Sequence, residues 1–414
     1  MVLKYDTSRA PIRRDKFEWK QRADRSIAHG ALTNSKRVES FIEGVYPTHL
    51  VKGNGCYVWD HMKRKYLDFI GANGTNLLGY GNQLLAVHIK RAFVDGPLMS
   101  LGTPIEVEAA EKFKSAVPMI QSLRFLKTGS EACVAAITIA RAYTGRKQVL
   151  SEGYHGWLNE FVSLTPPHHG IPGTMESHMD KFEDLSQITK ETAAVILEPV
   201  NLDASSERFQ WLQKLREKCN ETGAVLIFDE VITGFRVPKL TVTHWSGVRP
   251  DLICLGKSIG GGLPLALVGG SKAIMECENE YFVSSTFAGD TLGLTAAKQF
   301  VDIMLTKRKI EDLWEAGERF RQKFNSISPE NIQIKGYGTR GVFEGSPEFK
   351  ALLFQEACDA GILLGPSWFY SFPHMDCADV MPIIEEIIWK IKTRKVTLRG
   401  LPPRSPFAQK VREK

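Results

Sequence analysis

The feature that most restricts how this chain can fold lies between about residues 123 and 270, where short apolar runs alternate with helical patterns. The runs 149–151, 194–197, 225–228, 252–255 and 265–268 are apolar almost without interruption. Strands of that kind are buried on both faces, which predicts an α/β fold with a parallel sheet covered by helices on each side. Helices are read at 131–144, closed by Gly145, and at 209–222, closed by Gly223, because glycine readily takes the left-handed conformation that ends a helix.

The pattern changes on either side of this region. Residues 1–45 are polar and poorly periodic, as in an N-terminal arm that gains order only by lying on another surface. The segment 56–68 (CYVWDHMKRKYLD) reads as two short strands around a turn, since apolar and aromatic residues flank a polar centre. After about residue 300 come a helix at 310–324, short strands near Val342 and Phe369, and a last helix at 378–392. The expected division is an arm and part of a small domain in 1–70, a large domain in 71–300, the rest of the small domain in 301–395 and a basic tail in 396–414.

A chain of 414 residues, 43% apolar and 24% charged, can bury a full core. It has no apolar run of about 18 residues and no signal-type N-terminus, so a cytoplasmic protein without membrane contact is expected. The seven cysteines are widely spaced with no C-x-x-C pair, which predicts reduced thiols and neither a disulfide framework nor a metal site. Cys133 and Cys254 lie in apolar segments and read as small buried hydrophobes. The net charge of +6 is uneven: residues 390–414 carry nine Lys or Arg against Glu413 alone, leaving the body mildly acidic. A solvated tail explains this, and so does an anionic partner such as a nucleic acid or a phosphorylated molecule.

In an open α/β sheet, ligands bind beyond the carboxyl ends of the strands. The polar residues there are Glu198 after VIL, Asp229 after VLIF and Lys257 after ICLG. Lys257 precedes Ser258 and the glycines Gly260 to Gly262, so a flexible amine stands where backbone can approach a ligand; such a lysine can attack a carbonyl. A carboxylate at the end of so apolar a strand needs a cation or hydrogen bonds, and Asp229 could meet a protonated pyridine nitrogen or cap a following helix. Thr128-Gly129-Ser130 stands at a helix start, where backbone N–H groups bind phosphate, and Ser130 reads equally as an N-cap. Tyr154, in Tyr154-His155-Gly156, offers either a face for stacking on a ring or a partly buried core side chain.

From Gly55 to Ala378 the chain resembles the subgroup III aminotransferases of fold-type I pyridoxal-phosphate (PLP) enzymes, nearest the glutamate-1-semialdehyde aminomutase branch. The segments that carry the likeness are TGSEACVAAITIARAYTGR, EGYHGW, VILEPV, LIFDEVITGFR, PDLICLGKSIGGGLPLALVGG and STFAGDTLGLTAA. The resemblance implies a large domain with a mixed seven-stranded sheet and a small α+β domain built from both chain ends. It implies pyridoxal 5′-phosphate as cofactor, Lys257 as its Schiff-base lysine and Asp229 as the partner of its ring nitrogen. Gly129 and Ser130 match the phosphate cup, Tyr154 the stacking aromatic, Val231 the apolar residue on the other ring face, and Glu198 a glutamate near the 3-hydroxyl. Thr286 matches a threonine that reaches the phosphate of a neighbouring subunit, so a homodimer with composite active sites is implied. Departures fall on the substrate side: Gly71-Ala72-Asn73 replaces Gly-Ser-Trp, Tyr370 stands at a usual glutamate, and Asp290-Thr291 replaces Asn-Pro.

The expected activity is amino-group transfer or an aminomutase reaction on a small amine or amino acid, with Lys257 moving the proton between two carbons. One alternative is a decarboxylase or other α-carbon lyase of the same fold, acting on an amino-acid moiety that could be attached to a nucleotide or nucleic acid. A non-enzymatic descendant of the fold is the other.

Overall fold

The computed structural model describes residues 17–164, 170–172, 178–277, 281–328 and 332–403. The first part of the expected arm and the tail from residue 404 lie outside them. The chain forms two compact units. One takes both chain ends, up to Asn73 and from Ala316 onward, with Gly79–Gly81; the other takes Gly74–Leu78 and Asn82–Glu315.

The first unit begins with the Glu18–Ser26 helix and three short helical turns, followed by strands β1 (Leu50–Asn54), β2 (Tyr57–Asp60) and β3 (Lys65–Asp68), an antiparallel meander in which β2 and β3 are the two short strands expected around the turn. Far along the chain the same unit adds β11 (Ile332–Tyr337), β12 (Arg340–Gly345), β13 (Ile362–Leu363) and β14 (Ser367–Phe369). Strands β11, β12 and β14 form a separate antiparallel sheet, while β13 pairs in parallel with β3. The two ends of the chain are thus hydrogen-bonded into one sheet, with Leu67 N–H on the Gly361 carbonyl at 2.8 Å.

The second unit is a seven-stranded mixed sheet made of β4 (Ser122–Leu126), β5 (Gln148–Glu152), β6 (Met179–Lys181), β7 (Thr192–Leu197), β8 (Val225–Glu230), β9 (Leu252–Leu255) and β10 (Ala266–Gly270). Their spatial order is β4-β10-β9-β8-β7-β5-β6. All neighbours are parallel except β10, which runs antiparallel to both β4 and β9. Every residue of β7, β8, β9 and β10 is buried, as their unbroken apolar runs require. Each buried Val, Leu or Ile contributes on the order of 1.5–3 kcal/mol.

The Gly129–Thr144 helix covers one face of this sheet with Ala132, Ala135, Ala136, Ile137, Ile139 and Ala140, all buried. The many alanines let the helix axis lie close to the strands. Its N-cap is Thr128, not Ser130: the Thr128 hydroxyl accepts the Glu131 N–H at 3.2 Å, and Glu131 accepts the Thr128 N–H at 2.9 Å. This reciprocal cap stabilises the helix start by about 1 kcal/mol and leaves the Ser130 hydroxyl for another use.

Candidate active site

The carboxyl ends of β4, β5, β7, β8 and β9 bring Gly129, Ser130, Tyr154, Glu198, Asp229 and Lys257 to one edge of the sheet. Asp229 and Glu230 are consecutive in β8, so their side chains leave opposite faces of the sheet. Glu230 is wholly buried and accepts the N–H groups of Val242 (2.8 Å) and Thr243 (3.1 Å) and the Thr233 hydroxyl. Burial, only partly offset by these donors, raises its pKa to about 7. It anchors the chain that follows β8.

On the other face, Asp229 has a different set of partners. Its Oδ1 accepts the Val231 N–H at 2.9 Å, and its Oδ2 accepts His155 Nδ1 at 2.7 Å and the Cys133 thiol at 3.4 Å. The ligand-type atoms of Cys133, His155 and Asp229 all lie within 4.8 Å of one another, and all three residues are buried. His155 Nε2 also meets an acceptor, the Glu152 carbonyl at 3.1 Å, so both ring nitrogens carry protons. Burial pushes the imidazole pKa down most strongly, but the hydrogen bond and charge of Asp229, together with the neighbouring Cys133, outweigh it and the result is about 10. For Asp229, burial pushes up, the bond from His155 pulls down, and the carboxyl ends below its ordinary value. The pair is therefore a buried carboxylate and imidazolium. Asp229 does not cap a helix; it is held ionised inside a strand, with residues 231–236 forming turns.

Lys257 follows β9 by two positions, starts the short Lys257–Gly260 turn and is partly buried. Its φ is +47°, a left-handed backbone that costs a lysine roughly 1–2 kcal/mol. Its charge is felt at Asp229, where it helps to lower the carboxyl pKa. Val231 packs so closely on two glycines that a Cβ on Gly129 would stand 2.6 Å from its Cγ1, and one on Gly256 3.1 Å. Close approach, more than turn geometry, is what requires glycine at 129.

Ser130 is buried, and its hydroxyl accepts the Trp157 N–H at 2.9 Å, which ties the loop after β5 to the start of the Gly129–Thr144 helix. Gly156 in that loop has φ +112°, and a Cβ there would overlap the Ser130 side chain. Tyr154 is 51% exposed, so it is not a core tyrosine, and it follows the end of β5 by two positions. Glu198 is buried against Gly153, its Oε1 3.3 Å from where a Cβ would be. None of these contacts involves Thr286, which is exposed in the loop before the Thr291–Thr306 helix. Asp290 caps that helix through the Leu292 (3.1 Å) and Gly293 (3.0 Å) N–H groups and pairs with Lys127, giving the Asp290-Thr291 departure a structural reason. Gly71, Ala72, Asn73 and Tyr370 belong to the other unit; Tyr370 is buried there, its hydroxyl on the His374 carbonyl at 3.2 Å.

Two partners of Asp229 escaped the reading of the sequence. His155 was visible only as part of the Tyr154-His155-Gly156 motif, and Cys133 read as a small hydrophobe although its thiol is a donor. Cys133→Val fills the same space without a donor and is expected to cost about 1–2 kcal/mol of stability, while Cys133→Ser, which can still donate to Asp229, keeps most of it. Equal thermal midpoints for the valine variant and the native chain would reduce the thiol to packing.

Residues 42–375 match the family Aminotransferase class-III. Among curated proteins the chain is 30% identical over 372 residues to a glutamate-1-semialdehyde 2,1-aminomutase of Syntrophobacter fumaroxidans, covering 80% of this chain and 86% of that one. It is 30% identical over 414 residues to a protein of the same name from Neisseria meningitidis, covering 88% and 95%. Among solved structures, the FumI protein of Sphingopyxis sp. MTA144, in its PLP internal aldimine form, superposes with a TM-score of 0.84 at 23% identity, over 94% of this chain and 98% of that one. A glutamate-1-semialdehyde aminomutase from Pseudomonas aeruginosa PAO1 in complex with PMP gives 0.79 at 17% identity, over 92% and 95%. These structures share the fold, and the relatives' names favour amino-group chemistry over the decarboxylase alternative.

Proposed function

The chain belongs to the class-III aminotransferases, and on that premise we propose which of its residues carry out the transfer. Its cofactor is pyridoxal 5′-phosphate, and it is an aminotransferase or aminomutase acting on an amine or amino acid. The observation that carries the residue assignment is the pairing at the ends of β8 and β9 of an ionised, triply hydrogen-bonded Asp229 with the strained Lys257.

The site fits this cofactor on its own chemistry. Asp229 is a buried anion suited to a protonated ring nitrogen, and apolar Val231 and half-exposed Tyr154 are the residues that would meet the faces of the ring. The helix start at Gly129 and Ser130 offers N–H groups to a phosphate, and Glu198 stands at the same sheet edge. When bound, the cofactor supplies an electron sink for negative charge developing on the substrate carbon. Lys257 Nζ would hold it covalently, and the same nitrogen would serve as the base that moves a proton from one substrate carbon to the next. Asp229 keeps the ring nitrogen protonated, and His155 keeps Asp229 ionised and aimed. Adding a panel of amines and amino acids to the purified enzyme tests this: the aldehyde form of the cofactor should give way to the amine form with its productive donors. Release of carbon dioxide with an unchanged aldehyde form would overturn it.

A homodimer with composite sites belongs to the same reading. The Gln83–Asp95 and Pro104–Ala116 helices and the segment between them expose Val87, Phe93, Val94, Leu101 and Val107, an apolar surface of the kind a second subunit covers. Exposed Thr286 would then reach the partner's phosphate. Mixing inactive Lys257→Ala and Thr286→Ala subunits is expected to restore activity, because one site in each hybrid dimer is intact. Hybrids that form yet stay inactive would remove Thr286 from the partner's site. No helix among the described residues is long and apolar enough to cross a membrane; a cytoplasmic location is part of the proposal. The basic stretch 390–414 supports an anionic, for instance nucleotide-linked, substrate. Removing 405–414 should then raise KM and flatten its dependence on salt, and equal KM values across a salt series would leave the tail without that role.

A further inference from the structure

An ion pair within the unit that holds the seven-stranded sheet joins two segments whose roles in the reading above are separate. Lys127 stands between β4 and the helix start at Thr128, Gly129 and Ser130. Asp290 ends the loop that carries Thr286 and caps the Thr291–Thr306 helix. The Lys127 ammonium donates to the Asp290 carboxylate, and only 13% and 18% of the two side chains are exposed. An attraction so sheltered is weakly screened by salt. We propose that Lys127 and Asp290 are positioning residues for the phosphate of the cofactor, their pairing fixing the Thr286 loop to the helix start at Gly129. The inference rests on the cofactor reading above.

Each end of the pair is held by further bonds, so that a shift at one end reaches the other. The Lys127 N–H donates to Glu131 Oε2 at 2.8 Å, the same oxygen that accepts the Thr128 N–H, which attaches the lysine to the capped helix start. On the other side, Asp290 Oδ1 accepts the Leu292 and Gly293 N–H groups and leaves Oδ2 for the lysine. Ahead of it the loop folds back on itself, with Ala288 N–H on the Ser285 carbonyl and Asp290 N–H on the Phe287 carbonyl, both at 3.1 Å. Thr286 lies inside these turns and is exposed. A Cβ on Gly293 would stand 2.8 Å from Asp290 Oδ2 and 3.4 Å from both Lys127 Nζ and the Pro264 carbonyl, so the pair also meets the chain that follows the Lys257 turn. Beyond Asp290, the Thr291 N–H donates to the Pro97 carbonyl and its hydroxyl to the Gly96 carbonyl, both at 2.9 Å. Gly96 and Pro97 follow the Gln83–Asp95 helix, in the segment assigned above to contact with a second subunit. The charge pair thus links the phosphate cradle of one site to the loop offered to the other.

Asp290→Asn separates the pair from the cap. Asparagine caps a helix as well as aspartate does, so the start of the Thr291–Thr306 helix is kept while the charge that Lys127 meets is lost. Lys127→Met removes the ammonium from the other side. The full chain, freed of cofactor, is titrated with pyridoxal 5′-phosphate and with pyridoxal, which lacks the phosphate. Each variant is expected to bind pyridoxal 5′-phosphate about tenfold more weakly than the native chain, within the range for residues coupled in one ion pair, and to bind pyridoxal equally well. The double variant should be no weaker than the poorer single one. A pair that merely holds the fold together would weaken both ligands alike; that result, or native affinity for pyridoxal 5′-phosphate in Asp290→Asn, overturns the proposal. Borohydride reduction of the native enzyme keeps the two readings apart: a label on Lys257 with unaltered affinities in the variants removes the role of the pair alone, and a label elsewhere removes both.

Discussion

Lys257→Ala abolishes turnover, with an expected loss of at least about 10²–10⁴-fold, the range for removing a positioned proton-transfer base. The purified variant still takes up pyridoxal 5′-phosphate without a covalent bond, because Asp229, Ser130 and the helix start at Gly129 are untouched. Borohydride reduction of the native enzyme must label Lys257, and a label on another lysine sinks the assignment. The backbone adds an independent reading. At φ +47° alanine is as strained as lysine, but glycine is not. Lys257→Gly should therefore be more stable than Lys257→Ala by about 1 kcal/mol, a difference measured by thermal unfolding of the apoproteins. An alanine variant at least as stable as the glycine one would contradict the left-handed backbone.

Asp229→Asn has the second-largest effect. It removes the anion proposed to keep the ring nitrogen protonated, and a loss on the order of 10²-fold, roughly 2.7 kcal/mol of barrier, is expected. The change also reaches His155, whose pKa of about 10 depends on that carboxylate. Without it, burial dominates and the imidazole should be neutral at pH 7, a shift visible by NMR in the apoprotein. The raised pKa of His155 contributes stability that is fully present below its ordinary value of 6.5 and is lost as the pH climbs through about 10. The native apoprotein should lose stability across that window, and Asp229→Asn should lose less. Near-native turnover together with a still-protonated His155 in the variant would show that another group holds both protons.

The strands that place Asp229 and Lys257 were legible because β8 and β9 are buried on both faces and admit almost nothing but apolar residues; β9 spans the expected 252–255. Edge strands are less constrained. Strand β4 mixes exposed Arg124 with partly buried neighbours, and β6 has three residues of which Met179 alone is buried, so neither produces a clear run. Of the site, the strand-end residues could be found because a charge there is costly and conspicuous. His155 and Cys133 could not be given partners, since their contacts with Asp229 are set by packing between elements far apart in sequence. The cap at Thr128 was readable in the Thr128-Gly129-Ser130-Glu131 spacing, and the proximity of Ser130 to the glycine turn obscured it.

The pairing of β3 with β13 sets a schedule for synthesis. The stretch that forms the seven-stranded sheet is nearly continuous in sequence and can pack as it leaves the ribosome, while β3 waits for a partner that emerges roughly 300 residues later. At about 5–20 residues per second, that interval is on the order of 15–60 s. Throughout it, the edge of β3 that β13 will cover presents unpaired N–H and C=O groups. Chains halted before residue 362 would keep that edge uncovered, leaving a strand edge of the kind that pairs with other chains.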